Sequence, residues 1–149
     1  MFELQPAARP GKEPFEEFLR GSGVAMFDGA MGTMLYERGA FIHRSFEELN
    51  RSDPGLVRQT HELYVNAGAD IIESNTFGAN RFRLSPYGLE EAVEELNIAG
   101  VKLAREAAQD RAWVAGAMGP LGIRIEPFGH ISREEAREVF QQQAEALSK

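Results

Sequence analysis

Gly68-Ala69-Asp70-Ile71-Ile72-Glu73-Ser74-Asn75-Thr76-Phe77-Gly78-Ala79-Asn80 is the stretch that decides the fold. Asp70–Ser74 is a short apolar run tipped by an acid, and it reads as a buried strand. A helical pattern precedes it. Leu56, Val57, Thr60, Leu63, Tyr64 and Ala67 fall on one helical face. Pro54 suits the first helical position, with Ser52 or Asp53 as the cap and Gly68 as the stop. After the strand comes a loop, Asn75–Tyr87, carrying Gly78 and Pro86. Leu89, Ala92, Val93, Leu96, Ala99, Leu103 and Ala107 then keep helical spacing to about Ala108. Glu90 and Glu91 fall in that helix's first turn, where its dipole favours them.

The same strand–loop–helix unit recurs on both sides. Upstream, Val24-Ala25-Met26-Phe27-Asp28 is a second acid-tipped apolar run, followed by a long loop, Gly29–Arg51. Downstream, Ala112–Ala117 is a third strand, followed by a loop, Met118–Ile131. Ser132-Arg133-Glu134-Glu135 matches a capping box. Ala136, Val139, Phe140, Gln143 and Leu147 continue a last helix. Phe15, Phe18 and Leu19 mark a short amphipathic helix over Glu16–Arg20, closed by Gly21 and Gly23.

Strand openings near positions 24, 70 and 112, alternating with helices, predict an α/β chain with a helix-covered parallel sheet. Right-handed crossovers place the three strands side by side in order. That order fits three units of a (β/α)8 barrel and equally a small open sheet. In both, function sits at the strand C-terminal ends, where the long loops lie.

Composition narrows the function classes. The 149 residues carry 16 Lys+Arg against 23 Asp+Glu, a net charge of −7. No basic stripe is present to bind nucleic acid. The 43% apolar and 26% charged content is ordinary for a globular domain. No apolar run is long enough for a membrane span. Residues 1–14 lack the apolar core of a secretory signal and read as a flexible arm, so a cytoplasmic location is expected. There is no cysteine, hence no disulfide, thiol nucleophile or cysteine-held metal within the chain.

Asp28 and Glu73 each end a strand and point to one mouth. Paired acids there serve acid/base work, a metal such as Mg²⁺, or an ammonium group; the bland alternative is loop capping. Gly29-Ala30-Met31-Gly32-Thr33 either lets backbone approach an anion closely or forms a turn. Asn75-Thr76-Phe77-Gly78-Ala79-Asn80 offers hydrogen-bonding groups beside one aromatic wall. Gly116–Gly122 reads as a tight strand exit rather than a phosphate cradle, and no dinucleotide or P-loop pattern occurs. His43, His61 and His130 show no metal-ligand spacing. Arg81, Phe82 and Arg83 read as a packed, partly solvated loop, and Trp113 as core.

The three strand motifs together resemble the homocysteine S-methyltransferase domain family. They are Phe27-Asp28-Gly29-Ala30-Met31-Gly32-Thr33-Met34-Leu35, the 68–80 stretch, and Val114-Ala115-Gly116-Ala117-Met118-Gly119-Pro120-Leu121-Gly122. The likeness is strongest to bacterial forms joined to a methylenetetrahydrofolate reductase, with the cobalamin-dependent methionine synthase group nearly as close. The resemblance implies a (β/α)8 barrel in which residues 15–149 form the homocysteine-binding N-terminal part, ending before a fourth strand. It implies methyl transfer to the sulfur of homocysteine, giving methionine. It also implies a zinc held by three later cysteines, none of which this chain has. The need for zinc is physical: a free thiol is only about 3% thiolate at pH 7, and coordination deprotonates it. Methylcobalamin, methyltetrahydrofolate and S-methylmethionine are all compatible donors. Carried over by motif, Asp28, Gly29 and Ala30 form the strand-one part of the homocysteine pocket and Asn75, Thr76 and Phe77 the strand-two part. Glu73 is an ammonium partner.

With three units and no zinc ligands, the chain alone is expected to be inactive. The remainder of the barrel or a second chain is expected to cover the apolar edges of strands one and three. The competing reading is a non-catalytic partial barrel that binds a partner chain or an amino-acid ligand.

Overall fold

A computed structural model describes residues 14–21, 23–40 and 43–149. Apart from Pro14, the expected N-terminal arm lies outside them. The first helix, α1 (Phe15–Arg20), is followed by α2 (Met31–Glu37), α3 (Leu49–Ser52) and α4 (Pro54–Ala67). Strand β1 (Ile71–Glu73) leads to α5 (Arg81–Leu84) and a 3₁₀ turn at Ser85–Tyr87. A second 3₁₀ turn, Glu90–Ala92, opens α6 (Val93–Ala108). Strand β2 (Trp113–Ala115) and α7 (Arg133–Leu147) complete the chain.

The expected parallel order is present. β1 pairs with β2 in the register Ile71–Trp113, Ile72–Val114, Glu73–Ala115. The 24–28 run lies along the other side of β1, but it forms a single parallel bridge, Phe27–Ile71, rather than a full strand. Asp28 N–H donates to Ile71 O at 2.9 Å and Asp70 N–H to Met26 O at 2.8 Å. Among the described residues this run has β1 as its sheet neighbour on one side alone, and Val24 (88%) and Met26 (64%) stay exposed.

Local chemistry explains the helix ends. Asp53 caps α4, its side chain accepting from Leu56 N–H at 3.2 Å, with Pro54 at the first helical position. Gly68 ends the helix at φ 103°, a left-handed value that glycine adopts without a side-chain penalty. Ser132 caps α7 by accepting from Glu135 N–H at 3.0 Å.

Tertiary packing revises several expectations. The long 29–51 loop contains α2 and α3, and the 75–87 loop contains α5, so Arg81–Leu84 is helical rather than loop. Glu90 and Glu91 sit in a 3₁₀ turn; Glu94 and Glu95 occupy the first turn of α6. On α4 the buried residues are Val57, Thr60, His61 and Val65, while Leu63 is exposed. The buried face is thus rotated from the apolar one, toward Ile72 of β1 and Ala104 and Ala108 of α6, which pack with Val65. Trp113 is half-buried under α1, with Phe15 and Phe18 ring centroids at 5.3 and 4.7 Å.

His61 is fully buried on α4, and neither ring nitrogen has a hydrogen-bond partner. Burial disfavours the charged imidazolium and lowers its pKa to about 4. An unfolded histidine titrates near 6.5, so the native state binds fewer protons between these values. Stability is therefore full above about pH 6.5 and falls as pH drops toward 4, by up to about 3 kcal/mol. Urea unfolding from pH 7.5 to 4.5 should show this loss relative to a His61→Leu variant. Equal pH slopes for the two proteins would contradict it.

Candidate functional site

Asp28 and Glu73 end neighbouring chain segments, and Glu73 N–H donates to Asp28 Oδ2 at 3.1 Å. The two acid tips therefore share one floor. Above them lies a cleft of about 480 Å³, lined by residues of five segments. The first gives Asp28, Gly29, Ala30, Met31 and Gly32, and the second Glu73, Ser74, Asn75 and Phe77. Phe46 and Glu47 come from the chain before α3, while Arg83 and Ala117 complete the wall.

Electrostatics single out Asp28. Partial burial raises its pKa to about 6, and the Glu73 charge adds to the rise, against hydrogen bonds from backbone N–H groups that lower it. Tyr64 lies nearby, its hydroxyl donating to Ala30 O at 3.1 Å. Its phenol is pushed above the ordinary value by burial, then by the charges of Asp28 and Glu37.

The second loop is fixed from behind by buried amides. Asn75 donates to Phe46 O at 2.7 Å and to Asn50 Oδ1 at 2.9 Å, so its amide is committed to the scaffold. Asn50 of α3 donates to Asn75 O (2.8 Å) and Leu96 O (3.0 Å). Asn97 of α6 donates to Ala79 O (2.8 Å) and accepts from Gln143 of α7 (3.3 Å), which also donates to Thr76 O at 2.8 Å. Thr76, expected in the pocket, does not line the cleft. Its hydroxyl is fully buried, donating to Ala117 O at 2.8 Å and lying 2.7 Å from Ser74 Oγ. It joins the second and third loops instead. Gly119 N–H donates to Phe77 O at 2.8 Å, as a tight strand exit requires.

Thus six of the seven expected positions (Asp28, Gly29, Ala30, Glu73, Asn75 and Phe77) line one cleft. Sequence reading missed Glu47 and Arg83. Glu47 accepts from Ser45 Oγ and Gly78 N–H, each at 2.7 Å, and the second of these crosses the fold, where no local motif announces it. Among the described residues no group of three His, Cys, Asp or Glu side chains is placed to hold a metal.

Residues 25–149 match the homocysteine S-methyltransferase family. The chain belongs to that family. It is 32% identical over 135 residues to the methionine synthases of Mycobacterium leprae and Mycobacterium tuberculosis, covering 81% of this chain and 11% of each relative. Two crystal structures of the Escherichia coli homocysteine methyltransferase MmuM, an oxidized and a metallated form, share its fold. Each has a TM-score of 0.75 and 28% identity, covering 92% and 91% of this chain. The chain spans 53% and 54% of those solved chains, so it corresponds to about half of that domain. Among the described residues no helix is long and apolar enough to cross a membrane.

Proposed function

We propose that residues 15–149 are the opening three βα units of a (β/α)8 barrel and hold the amino-acid end of homocysteine for methylation at sulfur. The observation that carries this reading is the shared cleft. Family membership names the reaction class, and the two acid-tipped segments converge on a space of about 480 Å³, ample for a small amino acid. Asp28 is the group for the substrate ammonium. It is ionised above about pH 6, partly withdrawn from water and aimed at the cleft floor beside Glu73. A partly dry site strengthens such a pair. Gly29 and Ala30 leave room for close approach, and Phe77, 55% exposed, offers an apolar wall for the substrate's methylenes.

The zinc that the family implies does not fit the residues present. The chain has no cysteine, and the described residues hold no metal-ligand cluster. Sulfur activation is therefore assigned no residue of this chain. The exposed 24–27 edge is apolar, which suits further barrel polypeptide lying against it.

Calorimetric titration of homocysteine into the protein tests the reading. Binding is expected at pH 7.5, weakening up to tenfold per pH unit below about pH 6 as Asp28 takes up a proton. Affinity that is flat from pH 7.5 to 5 would overturn the ammonium role of Asp28.

A further inference from the structure

A second cavity of about 380 Å³ adjoins the cleft, and neither Asp28 nor Glu73 lines it. Its walls are largely aromatic and apolar: Phe46, Phe82, Pro86, Tyr87, Leu121 and Ile123. Phe82 and Leu121 pack with Ala136 and Val139 of α7 and form a fixed base. Tyr87 and Ile123, both exposed, stand at the rim. A concave space of this size, with aromatic walls and few polar groups, has the make-up of a small-molecule site.

Two glycines keep the space open and seat its charged residues. A methyl group on Gly78 would meet Glu47 Oε1 at 2.6 Å, and one on Gly122 would collide with Arg83 Cδ. Gly122, at φ 78°, also fixes where the guanidinium lies: Arg83 Nη1 is 3.2 Å from the place such a methyl carbon would take. Gly122 lines the second cavity and not the cleft, so the charge of Arg83 sits on the second cavity's side. Asn80, fully buried, holds the backbone there by accepting from Arg83 N–H at 3.1 Å.

The charges of this lining leave one cation over. Arg44 is paired with Glu48 at 2.7 Å. Both carboxylate oxygens of Glu47 are taken, by Ser45 Oγ and Gly78 N–H. The guanidinium of Arg83 has no hydrogen bond or ion pair among the described residues.

We propose that the second cavity binds a planar aromatic acid, its ring against Phe46 and Tyr87 and its carboxylate on Arg83. Aromatic walls favour a flat π-system through stacked or edge contacts. A guanidinium engages a carboxylate through two parallel N–H···O bonds, which an ammonium at the same place does not reproduce. The site is separate from the floor of Asp28 and Glu73 and does not rest on the homocysteine reading.

The test titrates naphthoate and the neutral naphthamide, which share a ring system and differ in charge, into the wild type, Arg83→Met, Arg83→Lys, Tyr87→Ala and Asp28→Asn. Thermal unfolding checks that each variant is folded. Naphthoate should bind the wild type about tenfold more tightly than naphthamide, as a charged hydrogen-bond pair at an exposed guanidinium allows. Arg83→Met should abolish that advantage and change naphthamide less than about twofold, and Arg83→Lys should retain part of it. Tyr87→Ala should weaken both probes about two- to tenfold, the range for a lost aromatic contact. It should leave homocysteine binding unchanged, because Tyr87 does not line the cleft. Asp28→Asn should weaken naphthoate less than about twofold, as independent sites require. Equal affinity of the wild type for the two probes, or binding of neither, would overturn the proposal. So would naphthoate that homocysteine displaces and Tyr87→Ala does not affect, since the ring would then lie in the cleft. Naphthoate binding as described with no homocysteine binding would support this site and overturn the cleft reading instead.

Discussion

Asp28→Asn is expected to weaken homocysteine binding by at least about 30-fold at pH 7.5 and, in the same protein, to raise the unfolding temperature. Both effects have one cause. The carboxylate is partly withdrawn from water and faces the charge of Glu73, so its pKa sits near 6 instead of the usual carboxylate range. The folded state binds the proton more tightly than the unfolded chain does. Stability is therefore lost as pH rises from about 4 to about 6, and at neutral pH the native state carries that cost. Asparagine removes the charge and retains an oxygen that can accept from Glu73 N–H. The stabilisation should be about 1 kcal/mol, below the full value of the shift because water reaches the group. The binding loss reflects removal of a charge–charge contact from a partly desolvated site. The result to measure is the opposite movement of two quantities, affinity down and melting temperature up. A variant that loses both would show Asp28 to be a structural cap.

The second large effect concerns the scaffold beneath the cleft. Asn97→Ala should lower the unfolding free energy by about 2–4 kcal/mol in urea titration, the range for a fully buried amide whose partners are left unpaired. Asn97 is inaccessible to solvent and holds Ala79 O, Val93 O and the amide of Gln143. Its removal leaves the Ala79 carbonyl without that donor and Gln143 without one of its two acceptors. Because Gln143 also holds Thr76 O, the loop behind Phe77 should loosen and homocysteine affinity should fall with stability. Asn97→Asp, by contrast, retains the size but buries a charge and should be no better tolerated. A loss under 1 kcal/mol for the alanine variant would mean that the interlocked amides are dispensable.

Much of this architecture was legible because it is written in local chemistry. Asp53-Pro54 opens α4, Gly68 closes it, and Ser132 with Glu135 opens α7, each satisfying backbone groups within a few residues. Acid tips at Asp28 and Glu73 were legible for the same reason: they follow apolar runs directly. What escaped the sequence depends on distant partners. The buried face of α4 includes His61 and excludes Leu63, set by where α6 packs rather than by hydropathy alone. Asn97 and Gln143 are buried because loop carbonyls after β1 need donors. Thr76 turned inward to bridge two loops, and Glu47 and Arg83 reached the cleft from segments whose spacing carries no signature of it. The 24–28 run kept its expected neighbour but not a strand's full pairing, since its other side has no strand beside it among the described residues.

The most direct measurement is a crystal structure of the protein with homocysteine bound. The amino acid is expected between the 28–32 and 73–77 segments, with its ammonium against Asp28. Homocysteine ordered elsewhere, with the Asp28 cleft holding only water, would contradict it.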